Sequence, residues 1–119
     1  MIQLTDKELG ILLLHMGIMR KEIKKALKRN YGFFEGKKKV ACYDSITKTL
    51  GEQLEKNGEC YLYHLPFDDE QLNMLHSFLI FYTIELKRQA ERENIDYQAN
   101  ETLQLLETIL RKIKKGSVA

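Results

Sequence analysis

Apolar residues in this chain recur mostly at three- and four-residue steps, the spacing of amphipathic helices. In two segments, residues 9–19 and 74–86, they close round nearly every side of the helix. A surface helix carries one apolar stripe about 100° wide, so a helix apolar all round must be wrapped by neighbours. The pattern predicts a compact all-α domain over residues 1–119, of about four helices. The two oily segments should be its central, largely buried helices.

Local signals place the boundaries. Thr5 and Glu8 have capping-box spacing, and Leu4 with Leu9 forms a hydrophobic staple, so the first helix starts here and runs to about Arg29. Beyond Met19 its apolar face narrows to Ile23, Ala26 and Leu27, with cations on the other side. Residues 30–36 (Asn-Tyr-Gly-Phe-Phe-Glu-Gly) read as a turn from their Asn and Gly content. A second helix follows, starting between Lys37 and Asp44, with Val40, Tyr43, Ile46 or Thr47, Leu50 and Leu54 on its stripe and Asn57-Gly58 as its cap. Residues 59–65 alternate like a strand but lack an evident partner, which predicts an ordered loop. Asp68 with Gln71, and Phe67 with Leu72, open a third helix that reaches about Glu93, with Asn94 ending it. The last helix begins near Asp96 or Asn100, buries Leu103, Leu106, Leu110 and Ile113, and stops at Gly116.

Ile80 and Ile84 fall on the opposite side of the third helix from Leu72, Leu75 and Leu79. At least two neighbours must therefore cover that helix. If the other helices fall short, the bare remainder is an isologous dimer interface.

Composition narrows the class. With 119 residues, 44% hydrophobic and 30% charged, the chain suits a folded soluble protein with a real core. Its lysine- and isoleucine-rich, Trp-free composition resembles that of small bacterial proteins. The first residues lack the basic region and apolar core of a signal peptide. His15, His76 and Ser77 interrupt the oily segments short of a membrane span. Two cysteines, Cys42 and Cys60, are too few for a disulfide scaffold. A cytoplasmic protein with no membrane partner is the expectation.

The residues that carry chemistry do not assemble into a recognisable site in sequence. Cys60 and His64 are the one close pair of potential zinc ligands, and neither His-Glu-x-x-His nor Glu-x-x-His occurs. His76 and Ser77 are adjacent, and consecutive helical side chains diverge. Asp68, Asp69 and Glu70 suit a helix's positive end, and Glu85 beside Lys87 and Arg88 marks the third helix emerging into water. Gly32-x-x-x-Gly36-Lys37 is one residue short of a phosphate loop and lacks its Ser/Thr. No metal, cofactor or catalytic residue is therefore expected. His15 and His76, if they met, would leave a pocket between the central helices as the one enzymatic alternative.

Charge supplies the strongest functional candidate. Residues 20–39 hold nine Lys/Arg against Glu22 and Glu35, a local net of +7 in a chain of net +2. Arg20, Lys21, Lys24, Lys25, Lys28 and Arg29 lead into Tyr31, Phe33 and Phe34, followed by Lys37, Lys38 and Lys39. Cations with interleaved aromatics suit nucleic-acid phosphates and bases, or an acidic protein surface. Tyr61 and Tyr63 add a second aromatic loop as a candidate contact. The reading that results is a small non-enzymatic helical protein, a regulator or accessory factor acting on an unknown protein partner or a second copy of itself. Nucleic-acid association is the alternative.

Overall fold

A computed structural model gives the fold, described for residues 2–57, 62–93 and 100–116. In chain order the elements are strand β1 (Ile2–Thr5), helix α1 (Asp6–Asn57), strand β2 (Leu62–Leu65), helix α2 (Asp69–Arg92) and helix α3 (Glu101–Gly116). The class is all-α with a small two-stranded sheet. The helices number three rather than four, because the turn expected over residues 30–36 shrinks to one residue. Gly32 alone departs from helical geometry, with φ 81° and ψ −176°.

That reversal folds α1 into a hairpin of two arms, residues 6–31 and 33–57. Gly36 lets the arms touch: a Cβ there would stand 2.8 Å from Lys28 Cα and 3.1 Å from the Leu27 carbonyl oxygen. Further along, Tyr43 donates its hydroxyl proton to the Met16 carbonyl at 2.6 Å in a buried contact. At the same level Arg20 grips Asp44 in a bidentate pair, Nε to Oδ1 at 2.8 Å and Nη2 to Oδ2 at 2.9 Å. The guanidinium's hydrogen bonds hold the Asp44 carboxyl below its ordinary pKa. Burial pushes the Tyr43 phenol upward and keeps it protonated.

The capping signals are realised atom by atom. Thr5 N–H donates to Glu8 Oε1 (2.8 Å), and Glu8 N–H donates to Thr5 Oγ1 (3.2 Å). Asp68 N–H donates to Gln71 Oε1, and Gln71 N–H donates to Asp68 Oδ1. Each exchange satisfies N-terminal donors that a helix cannot use itself. Glu8 is also buried, 3% exposed, with Lys112 Nζ 2.6 Å from its Oε1, so the cap anchors α3 to the start of α1. Asn100 caps α3 by accepting from Leu103 N–H at 3.3 Å, which places that helix's start at the later of the two expected positions.

The stretch expected to be an unpaired loop is β2, and its partner is the segment leading into the first helix. The pairing is antiparallel, Ile2 opposite Leu65 and Leu4 opposite Tyr63. The alternation expected for β2 is obeyed, with Tyr63 and Leu65 buried and Leu62 and His64 outside. Tyr63, 1% exposed, is core rather than contact surface. Tyr61, Cys60, the Gly58 cap and Asn94 lie outside the described residues.

One core joins every element: Ile2 and Leu4; Leu9, Leu12, Met16, Tyr43, Ile46 and Leu50 from both arms of α1; Tyr63 and Leu65; Leu75, Phe78, Leu79 and Tyr82 of α2; and Leu106, Ile109 and Ile113 of α3. Ile109 takes the interior place expected of Leu110, which is half-buried. Leu54 is 38% exposed, so the stripe of the second arm ends at Leu50.

The two central segments are only partly enclosed. Leu14 and Ile18 are 56% and 59% exposed, and Ile80, Phe81 and Ile84 are 38–47% exposed. The first arm of α1 is covered by the second arm on one side and by α2 on another. Where α3 reaches it, the contacts are with its first turns, through Glu8 and a cleft beside Lys7 and Leu14. These are the central, largely buried helices expected, with one face of each left open to solvent rather than enclosed all round.

Candidate functional site

The elbow of α1 gathers the candidate aromatics and part of the candidate cations. Phe33 and Phe34 follow the reversal directly, and the outward turn of the second arm leaves them 62% and 80% exposed. Their rings meet nearly edge-on, centroids 5.3 Å apart at 84°. Lys37 Nζ lies 5.1 Å from the Phe33 ring centroid, and Lys39 Nζ lies 5.2 Å from that of Tyr31. Such cation–π contacts are each worth about 0.5–1 kcal/mol at exposed sites, enough to orient a side chain without removing its charge. Lys38 is paired with Glu35 at 3.9 Å.

The remaining cations follow the first arm downward. Lys21, Lys25, Lys28 and Arg29 are exposed and form no ion pair among the described residues; Lys24 is half-buried. Helical rise sets Arg20 and Lys21 roughly 20 Å from the aromatic tip. Arg20 is engaged with Asp44, so its role is to staple the hairpin rather than to face a partner. The compact site is thus Tyr31, Phe33, Phe34, Lys37 and Lys39, with Lys28 and Arg29 beside them.

Two clefts adjoin the elbow, between the first arm and α2. One of about 250 Å³ is walled by Ile23, Leu27, Tyr31, Met74, Phe78 and Phe81. The other, about 230 Å³, shares Leu27, Tyr31 and Met74 and adds Lys39 and Glu70 at its rim. Each is smaller than the roughly 300–1,000 Å³ of small-molecule sites and suits a single inserted side chain. Sequence reasoning missed them, because Met74, Phe78 and Phe81 read simply as core.

The chemistry-bearing residues remain apart. His15 Nδ1 and the Tyr82 hydroxyl share a hydrogen bond of 2.6 Å, and burial pulls the imidazole pKa down and pushes the phenol pKa up. His76 stands about 120° around α2 from Tyr82, so the two histidines do not share a face. Neither lines the clefts above. Cys42 is a free thiol whose pKa is raised chiefly by burial and then by Glu70 and Asp68; it sits 3.8 Å from the Glu70 carbonyl oxygen. Lys39 does little to activate it. Glu85 binds Arg88 at 2.9 Å on the exposed surface. Among the described residues no three His, Cys, Asp or Glu side chains converge on a metal position, and no helix is long and apolar enough to cross a membrane.

Compared with protein-family models, with curated proteins and with solved structures, the chain finds no match.

Proposed function

We propose that this chain is a small non-enzymatic protein that works through protein contacts, as a regulator or accessory factor, and that the elbow of α1 is its contact surface. The observation that carries the reading is the exposure of Phe33 and Phe34 at the tip of a braced hairpin, ringed by cations. Large aromatics are enriched at protein interfaces, and on a preorganised knob little side-chain freedom is lost when a partner closes on them. The surrounding charge selects an acidic partner surface, and steers its approach.

The local charge of +7 also favours a second reading, association with nucleic acid. Ring geometry ranks it lower. Base binding wants ring faces open to stack upon, whereas Phe33 and Phe34 meet edge-on and Lys37 occupies one face of Phe33.

A photo-crosslinking residue placed at Phe34 in the native cells tests both. A discrete protein adduct, absent when the crosslinker replaces exposed Glu52 at the far end of the same arm, supports the proposal. Adducts with nucleic acid alone transfer support to the second reading, and no adduct at all overturns both.

A further inference from the structure

The two clefts beside the elbow are parts of one groove, because Leu27, Tyr31, Met74 and Ser77 wall both. Two helical stripes build it. On the first arm of α1, Ile23, Leu27 and Tyr31 recur every four residues. On α2, Glu70, Asn73, Met74, Ser77 and Phe81 recur at three- and four-residue steps, and positions so spaced share a face. The two helices run antiparallel, since His15 meets Tyr82 while Leu27 and Tyr31 meet Met74. The groove is therefore graded along its length. Ile23, Ala26, Phe78 and Phe81 make one end apolar, while Lys39, Glu70 and Asn73 make the end at the elbow polar.

Charge at the polar end comes as one opposed pair. Lys39, on the α1 side, and Glu70, on the α2 side, are the charged residues of the two walls. Among the described residues neither joins an ion pair, with the other or elsewhere. Lys39 Nζ is held 5.2 Å from the ring centroid of Tyr31, which walls both clefts. Glu70 is brought near by its own turn of α2, whose carbonyl oxygen lies 3.8 Å from the Sγ of Cys42, one turn beyond Lys39. Hydrogen-bonding groups stand ready beside the pair. Thr83, further along α2, bonds back to the Leu79 carbonyl at 2.7 Å. The side chains of Asn73 and Ser77 make no such bond among the described residues. Other charges lie outside the walls. At 100° per residue Lys28 and Arg29 turn away from the face of Leu27, and Asp68, next but one before Glu70, is occupied in capping α2.

We infer that this groove binds a free apolar α-amino acid, its side chain between Leu27 and Phe81, its carboxylate on Lys39 and its ammonium on Glu70. Each cleft alone, at about 230–250 Å³, takes one side chain; the joined groove takes the side chain and the charged carbon that bears it. The charges select the class of ligand. A peptide interior carries neither of them. A fatty acid or a simple amine carries one and leaves the opposite wall unmatched. A free amino acid carries both beside its apolar tail, so that a few polar groups fix orientation within a mainly apolar site. Tyr31 and Lys39 belong also to the elbow, but binding here does not rest on the protein contact proposed there.

The Met74 methyl group, on the wall of both clefts, reports occupancy by NMR of the full chain. L-Phenylalanine should shift it saturably, with a Kd of about 1 mM or lower for so small a ligand. Glycine, which has no tail, should leave it in place. 3-Phenylpropionate, lacking the ammonium, and phenylalaninamide, lacking the carboxylate, should each bind about tenfold more weakly, as for loss of one charge-assisted hydrogen bond. Glu70→Gln should remove the preference for phenylalanine over 3-phenylpropionate, and Lys39→Gln the preference over phenylalaninamide. Phe34→Ala, which disables the elbow, should leave the Kd unchanged, so the two readings fail separately. No Met74 shift up to ~10 mM, ten times the largest expected Kd, overturns the inference. Equal affinities for the three aromatic ligands overturn it too, since the groove is then an unselective apolar slot. So does full discrimination retained in Glu70→Gln or Lys39→Gln.

Discussion

Replacing Gly32 by alanine isolates the conformation on which the hairpin depends. At φ 81° and ψ −176° the residue occupies a region essentially closed to L-residues bearing a Cβ, at a cost of about 1–3 kcal/mol. No atom lies within 4 Å of the position that Cβ would take, so the penalty is backbone strain without collision. Alanine also stiffens the unfolded chain, which offsets about 0.4–1 kcal/mol. The expected net loss is about 1–2 kcal/mol, or a fall of about 1 M in urea midpoint for a slope near 1–2 kcal/mol/M. Two companions fix the interpretation. Gly51→Ala, in a helical stretch with the same open space, should stabilise by up to about 1 kcal/mol. D-Alanine at 32, introduced by ligation, prefers the mirror-image torsions and should be at least as stable as glycine. Urea unfolding at one fixed protein concentration reads all three. An L-alanine variant no weaker than the parent, or a D-alanine variant equally damaged, refutes the elbow geometry.

Other expectations concern the same scaffold. Lys112→Ala leaves the carboxylate of buried Glu8 without its cation and should cost about 1–3 kcal/mol in urea unfolding, lowered toward the smaller figure by the partial exposure of Lys112. Because burial lowers the His15 pKa below its unfolded value near 6.5, the unfolded chain binds that proton more readily. The stability His15 contributes is therefore full above about pH 6.5 and is lost as pH falls through the lower folded value. Thermal unfolding at stepped pH should show that decline, and His15→Gln should lack it. Phe34→Ala should change stability by less than about 0.5 kcal/mol, as for a side chain that packs on little of its own fold, while abolishing crosslinking from a probe placed at neighbouring Phe33.

Helix starts were the most legible feature of the sequence, since a capping box is local and Thr5–Glu8 and Asp68–Gln71 carry their own partners within four residues. The strand pair was not legible, because Ile2 and Leu4 find Leu65 and Tyr63 some sixty positions away. The elbow was half legible. Asn30, Gly32 and Gly36 announced a reversal, yet Gly32 alone makes it while Gly36 serves the crossing of the arms. Reading residues 9–19 and 74–86 as buried all round overlooked how much apolar surface folded proteins leave exposed. At the site, exposure of Phe33 and Phe34 follows from their place at a turn. The use of Arg20 as a staple depends on Asp44, which no local pattern connects to it.

The long-range ribbon also orders events during synthesis. Translation at about 5–20 residues per second leaves β1 without a mate for roughly 3–12 s, until β2 has been made. Meanwhile the α1 hairpin, whose contacts are local, has the chain it needs and closes first. The opening strand is thus tied down only after the hairpin it leads into. Slowing the ribosome before β2 is made would lengthen the interval in which Ile2 and Leu4 stand open to chaperones.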